Sequence, residues 1–424
     1  LKSREREMNA RQAAAVARFH DFERDYRHAI DLLAADDPVQ LNEGARIAEN
    51  ALASYGVLDH ENWMDRPEVQ RLSPDDRERL QAEVGELAFL LARAAWFQPR
   101  DDQPRAVESA RIWNRVAQSH LDEDASAAAA LQLAELNDKP GGAVDQTRLL
   151  KQKLLTAAPG RTRTRFITAC QLTAFGQHRE AIKVLQEAVN DDPRDFGCWL
   201  LKGRCHHWLD EEADAAAAYA TAIALRPTHA RAYQWRAALY AAKRKNLEQA
   251  RADLDQAIKL QPNLLDAYID RGLVLSFLGK HKEALEDLDW ALSCPGVPSR
   301  VWFIRAHVRT TAGDSEGAAK DLAAGMRTEP TDSTSWISRG CARVSSDPKG
   351  ALADFMKAEE LSPRSFDAIY NQAHVHGTKL KKYDEALAVI DRLQKLHPDD
   401  YRAASSRAIY LARLDRMDEA VQWA

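Results

Sequence analysis

The chain has 424 residues, with 59 Lys+Arg against 64 Asp+Glu and a formal net charge of −5. That balance excludes the strong basic field of a nucleic-acid binder, and 45% hydrophobic with 29% charged residues excludes wholesale disorder. Only 18 Gly and 16 Pro point away from a turn-rich all-β chain and towards helices, and length alone suggests two to three domains. The five cysteines, Cys170, Cys198, Cys205, Cys294 and Cys341, are odd in number and scattered, and read as reduced core thiols, not a disulfide framework. No run reaches the ~20 apolar residues of a membrane span, because the best one, Leu87–Phe97, is broken by Arg93.

In chain order, the first expected element is a charged helix over Arg4–Ala35. Its apolar stripe is Ala15, Phe19, Phe22, Tyr26, Ile30 and Leu33, at helical spacing. A second helix spans about Leu41–Tyr55 and stops at Gly56. Ser73 caps a third, with Pro74 at its first position and Asp75 and Asp76 in its first turn, where carboxylates meet the positive helix end. That helix runs to about Phe97. Further helices are expected at Arg105–His120, Ala125–Leu136 and Val144–Ala157, and no segment alternates as a strand would.

From residue 159 the chain becomes periodic. Prolines recur at Pro159, Pro193, Pro227, Pro262, Pro330, Pro363 and Pro398, and alanines at Ala181, Ala215, Ala250, Ala284, Ala318, Ala351, Ala386 and Ala420. The alanine intervals are 33 to 35 residues; the one wide proline interval is a double, with Pro295-Gly296 in its middle. Two independent series at one period mark a repeat architecture. In the unit at 267–292, Tyr268 lies in the first turn of a helix, Gly272 allows a second helix to approach, and Gly279 ends the first helix in a left-handed cap. Ala284 and Ala291 then lie on one inner stripe of the second helix.

These residues resemble the tetratricopeptide repeat over about Thr162–Ala424, as seven units and an eighth cut inside its second helix. With Ala284 as position 20, position 4 is aromatic (Trp199, Tyr233, Tyr268, Trp302, Trp336, Tyr370). Position 8 is small (Ala169, Gly203, Ala237, Gly272, Ala306, Gly340, Ala408), with His374 departing. Position 27 is Ala188, Ala222, Ala257, Ala291, Gly325 and Ala358, with Leu393 departing. The resemblance implies an all-α fold, a right-handed α-solenoid of helix-turn-helix repeats. The organisation expected is an irregular helical region over 1–123, a degenerate repeat over 124–161 and the array over 162–424. Residues 19–94 also resemble part of the repeat-bearing tail region of some bacterial serine/threonine kinases, in which a catalytic domain and often a membrane span lie upstream. Starting at Leu1 and stopping inside a repeat, the sequence reads as a piece of a longer polypeptide.

No catalytic set emerges. Asp195-Phe196-Gly197 matches a kinase metal-binding triplet, but the glycine-rich loop, strand lysine and catalytic-loop residues are missing, so Asp195 reads as a helix cap. Gly141-Gly142 reads as a turn. Cys198, Cys205, His206 and His207 lack zinc spacing, and His374 and His376 are two apart on a helix, so neither metal nor cofactor is expected. Position 7 is Arg in four consecutive repeats (Arg236, Arg271, Arg305, Arg339) and position 23 is Asp in the same four (Asp253, Asp287, Asp321, Asp354). One Asp for each Arg predicts a structural ion pair; the functional alternative is an Arg ladder for an acidic ligand.

Function then falls to the concave face, which in the resembled family is lined by positions 2, 5, 6, 9, 12 and 13. Carried over, these are Leu200, Leu201, Arg204, His207 and Trp208, then Gln234, Trp235 and Ala238, then Ile269, Asp270, Leu273 and Phe277. Phe303, Ile304, His307 and Thr310 follow, then Ile337, Ser338, Cys341, Asn371, Gln372 and Val375. The Lys, Arg and Asn set of carboxylate-clamping members is missing. The aromatic middle, Trp208, Trp235, Phe277 and Phe303, suits a protein or peptide segment with bulky apolar anchors. The expected function is a non-catalytic scaffold, or the regulatory tail of a kinase whose catalytic domain lies upstream. Neither nucleic acid nor membrane insertion is expected. The free cysteines favour the cytoplasm; an upstream span would place the repeats outside it.

Overall fold

A computed structural model describes residues 2–33, 38–60, 62–96, 103–121, 129, 162–174, 176–398 and 400–423. All regular structure among them is helical. The chain divides into two compact units, Leu1–Gln171 and Leu172–Ala424. The division falls inside the helix Thr162–Ala174. The helices expected at 125–136 and 144–157, with the degenerate repeat they would form, lie outside the described residues apart from Ala129.

In the first unit the expected helices appear as Lys2–Leu33, Pro38–Ser54, Pro74–Trp96 and Gln103–His120. Phe19, Phe22, Tyr26 and Leu33 are buried as the stripe predicts, with Ala29 fully buried and Ile30 only half-buried. Phe22 meets Tyr55 edge-on at 5.6 Å between centroids. The Tyr26 hydroxyl donates to Glu86 Oε2 at 2.6 Å, and Arg93 donates to the Leu33 carbonyl at 2.9 Å, satisfying an orphan acceptor at a helix end. Ser73 Oγ accepts from the Asp76 N–H at 3.1 Å, which is the expected cap.

The second unit is a solenoid of helix hairpins. After the second helix of repeat one, His178–Asp191, the hairpins pair Phe196–Trp208 with Glu212–Leu225, Ala230–Ala242 with Leu247–Leu260, and Leu265–Phe277 with His281–Ser293. Arg300–Thr311 then pairs with Ser315–Arg327, Ser333–Arg343 with Pro348–Leu361, Phe366–His374 with Tyr383–Leu396, and Tyr401–Arg413 with Met417–Val421. The small positions do what their size requires. All eight alanines of the position-20 series are buried. A Cβ on Gly203 would sit 2.7 Å from the Tyr219 ring, and one on Gly272 would sit 2.9 Å from Leu288 Cγ. Gly279 takes φ +75 in the turn, and Asp210, Arg244, Lys381 and Asp415 take the same left-handed conformation in theirs.

Repeat seven explains its own anomaly. Its first helix ends in a π-helical turn, Val375–Lys379, which absorbs one extra residue inside the helix, not in the inter-helix turn. The small position is therefore Ala373, fully buried, and His374 points outward. Gln372 and Val375, expected on the groove, move off it for the same reason and are buried. Phe303 corrects a second expectation. Its ring packs on Gly325, whose hypothetical Cβ would lie 2.8 Å from Phe303 Cζ. Gly replaces the usual alanine at position 27 because the aromatic ring fills that space.

The recurrent Arg and Asp form a ladder of ion pairs inside the hairpins. Arg236–Asp253 and Arg271–Asp287 meet at 2.7 Å, Arg305–Asp321 at 2.6 Å and Arg339–Asp354 at 2.9 Å. Each guanidinium also lies over the position-4 aromatic of its own helix, Tyr233, Tyr268, Trp302 or Trp336, at 4.3 to 5.9 Å from the centroid. The position-4 aromatics thus carry the cation–π half of a built motif.

Candidate binding channel

The first helices of the hairpins set side by side the face expected to bind. Position 5 does not belong to it. Leu200, Gln234 and Ile269 are buried, as Phe303 is occupied by Gly325, because a position-5 side chain turns towards the neighbouring helix. Leu201 at position 6 is buried as well. Ile304 is half-buried against the core shared with the preceding repeat and Ile337 against that of its own, Asn371 is half-buried and His307 is exposed. The open face is made by Arg204, His207, Trp208, Trp235, Ala238, Asp270, Leu273 and Phe277, from positions 6, 9, 12 and 13.

Two cavities lie along it. One, of about 510 Å³, is lined among others by Arg204, His207, Trp208, Trp235, Ala238 and Ala242, together with Tyr401 and Arg402. Arg204 lies 5.2 Å from the Trp235 ring centroid. His207 meets Tyr219 edge-on, and burial pushes its imidazole pKa below the usual range. The second, of about 320 Å³, is lined by Ala237, Ala238, Ala241, Ala242, Leu254, Leu273, Val274 and Phe277, with Arg244 and Asp270. The two share Ala238 and Ala242, so the alanine face of the helix Ala230–Ala242 is their common floor. Arg244 sits 3.9 Å over the Phe277 ring. Burial lifts the Asp270 carboxyl from 3.8 to about 6, against the opposing hydrogen bond from Gln234.

Trp208 departs from its expected role. It stacks between His178 of repeat one, at 5.4 Å and 7°, and His397 of repeat seven, at 6.2 Å and 18°. Its edge meets Phe366 at 6.4 Å, a ring that also meets His397 edge-on at 5.6 Å and carries Arg402 at 3.9 Å over its face. His397 donates from Nε2 to the Arg364 carbonyl at 2.7 Å. Gly176, at φ +70, abuts Leu396 and His397, where a Cβ would sit 2.5 Å from the Leu396 carbonyl. The array thus curls until repeats one and two meet repeat seven, and Trp208 is held by His397 and Phe366 of that repeat.

Elsewhere, Asp195 caps its helix, accepting from the Cys198 N–H at 2.7 Å. Cys198 and Cys205 are buried. The donor atoms of His206, Glu211 and Asp214 lie within 4.8 Å of one another. His206 Nδ1 is already 2.7 Å from Glu211 Oε2, and Arg179 lies 3.5 Å from the same carboxylate. No helix among the described residues is long and apolar enough to cross a membrane.

Tetratricopeptide-repeat models match residues 172–239, 230–264 and 378–424, so these stretches are tetratricopeptide repeats and the fold is an α-solenoid of that kind. Mouse Superkiller complex protein 3 is 32% identical over 125 residues, 27% of this chain and 8% of that protein. The mouse Protein O-mannosyl-transferase TMTC3 is 28% identical over 138 residues, 29% of this chain and 15% of that protein. The chain therefore spans a small part of these relatives. Among solved structures, the yeast Tom70 aligns over 99% of this chain and 91% of its own, at 16% identity and TM-score 0.45. A tetratricopeptide repeat protein from Parabacteroides merdae aligns over 62% and 98%, at 16% identity and TM-score 0.45. The fold is typical of protein–protein interaction scaffolds. The kinase-tail resemblance of residues 19–94 gains nothing from the family models, which begin at residue 172.

Proposed function

We propose that the repeats hold a protein segment along the channel face, with its apolar side chains on the alanine floor between Trp235 and Phe277. One observation carries this reading: two cavities of about 510 and 320 Å³ lie side by side and share Ala238 and Ala242 in their walls. A concave apolar trough with a few polar groups at its walls is what an extended or helical segment needs for anchoring. Trp235 is the central wall, and Trp208 contributes through its edge while its faces hold the array closed.

The test is a random dodecapeptide library displayed on phage and selected against the whole chain. Selected peptides are synthesised, labelled and titrated by fluorescence anisotropy. Binding weakens tenfold or more in Trp235→Glu while the circular dichroism spectrum is retained. Peptides that bind Trp235→Glu as tightly as the parent chain place the binding face elsewhere and overturn the proposal.

A further inference from the structure

The smaller cavity has a chemical character of its own. Its walls are alkyl and aromatic, yet one of them presents the Asp270 carboxylate. Among the described residues, Gln234 is the sole hydrogen-bond partner of that carboxylate, donating from Nε2 to Oδ2 at 2.8 Å. No cation among the described residues stands within ion-pair distance of it. The two charged groups nearest in effect are Asp266 and Arg300. Arg300 is committed to Asp266 at 2.7 Å and lies 3.8 Å from Asp332. Arg244, at the rim, is held on the Phe277 ring. The contrast with the ion-pair ladder is sharp, since there every buried Asp has its own Arg.

Gln234 is 8% exposed, and its Oε1 is buried with no hydrogen-bond partner. The orientation of this amide follows from the carboxylate, which accepts only, so Nε2 must face Asp270 and Oε1 must face away from it. The Asp270 carboxylate therefore has one neutral donor and no counter-charge, in a cavity wall that is otherwise mostly alkyl and aromatic. A carboxylate set among apolar walls without a counter-charge is unfavourable, and a cationic ligand that pairs with it recovers that cost on binding.

We propose that this cavity is the subsite for a basic side chain of the bound segment, arginine in preference to lysine. The stem lies along Leu273, Val274 and Phe277, and the guanidinium meets the Asp270 carboxylate in the cavity wall. The alkyl walls match an apolar stem, as long cationic side chains bury their methylenes and carry the charge at the tip. A guanidinium brings several N–H donors in a fixed plane and can serve two acceptors at once; an ammonium is a point donor on a flexible stem. The apolar anchor of the same segment takes the adjoining cavity. Neighbouring first helices are ~8–10 Å apart, so anchor and basic residue are about three positions apart in an extended segment at ~3.3 Å per residue. The subsite rests on the channel reading above and specifies its partner.

The phage selection is run in parallel on the parent chain and on Asp270→Asn, with an unselected arm for background. The parent chain enriches arginine, and lysine less, at one fixed position about three residues from an apolar one. Asp270→Asn keeps the apolar position and loses the basic one. A synthetic arginine peptide from the parent selection binds at least tenfold more weakly when its arginine is replaced by citrulline. Its affinity also falls as the pH drops from 7 to 5, where Asp270 takes up its proton, and Asp270→Asn shows no such fall. Asp266 and Arg300 also face Asp270, and they stay common to both proteins, so the comparison isolates Asp270. Enrichment without a fixed basic position, or with one that Asp270→Asn retains, overturns the subsite. Binders lost in Trp235→Glu but indifferent to Asp270→Asn leave the channel standing and remove only the subsite. Binders indifferent to both remove the channel and the subsite together, as does the absence of any enriched peptide.

Discussion

The ion-pair ladder yields the sharpest test, at Arg271 and Asp287. Arg271 gives Nε to Asp287 Oδ2 at 2.8 Å and Nη2 to Oδ1 at 2.7 Å, a bidentate pair. Its third donor, Nη1, meets Asp255 of the preceding repeat at 2.7 Å. The side chains are unequally covered: Asp287 is 9% exposed, Arg271 21% and Asp255 47%. Truncation should therefore be asymmetric. Arg271→Ala leaves a nearly buried carboxylate alone, a change in the class that costs about 3–5 kcal/mol. Asp287→Ala leaves Arg271 with Asp255 and the Tyr268 ring as partners, so about half that loss is expected. In the double mutant no charge is stranded, so the coupling should be about 2–3 kcal/mol. Asp255→Ala alone, at the exposed edge, should cost under ~1 kcal/mol. The four proteins of the cycle are unfolded in urea at neutral pH, followed by both circular dichroism and tryptophan fluorescence, because coincident transitions are needed before free energies are compared in a repeat array. Additivity within ~0.5 kcal/mol, or an Asp287→Ala loss larger than that of Arg271→Ala, refutes the assignment of the ladder as a buried structural motif.

Asp270→Asn tests the buried carboxylate by stability. The group sits at about 6 in the folded chain against an ordinary 3.8, so its favourable contribution is complete below pH ~4 and is lost as pH rises through 6. Asn mimics the protonated form and keeps the Gln234 bond. The variant should melt a few degrees higher than the parent at pH 7.5, about 1–2 kcal/mol after allowing for partial solvation, and equally at pH 4; equal melting at both pH values contradicts the buried charge. Ala284→Leu places a branched chain where Ala284 is fully buried beside Gly272, and thermal melts should show a loss of about 1–3 kcal/mol. Trp208→Ala removes the ring clamped between His178 and His397. Small-angle scattering should then report a larger radius of gyration with helix content unchanged, and an unchanged radius means the closure is held by other contacts.

What the sequence made legible, and what it did not, divides by the range of the interactions. The hairpins, the buried alanine series, the left-handed turn at Gly279 and the four Arg–Asp pairs were all readable, because each lies within one repeat or between neighbours at a fixed offset. Position 5 was misplaced onto the channel because an inherited lining scheme says which residues share a helix face, not how closely the next helix approaches it. One residue, about 100° of rotation, separates buried Gln234 from Trp235 on the wall. The π-turn at Val375–Lys379 was hidden for a related reason. A one-residue insertion shows in the period but not in its location, although Ala373, one step before the departing His374, was a readable sign that the register had slipped inside the helix.

Closure lies beyond either kind of reading. Whether repeat two meets repeat seven depends on small rotations accumulated over five interfaces, none of which leaves a periodic mark in the sequence. His178 and His397 carry no signal that they flank one tryptophan from 30 residues before and 189 residues after it. The consequence for function is physical. An open solenoid presents its channel along its whole length, but here the ends meet beside the larger cavity, which Tyr401 and Arg402 line together with Trp208 and Trp235. A segment entering that cavity touches repeats two, three and eight at once. Any binding energy gained at Tyr401 and Arg402 is realised only while the Trp208 stack is formed, so a ligand using those contacts must favour the closed array by that amount. Binding and closure are then linked in both directions: Trp208→Ala should weaken peptides that reach Tyr401 more than those confined to the alanine floor, and equal weakening of the two would show that the stack does no more than fold the repeats.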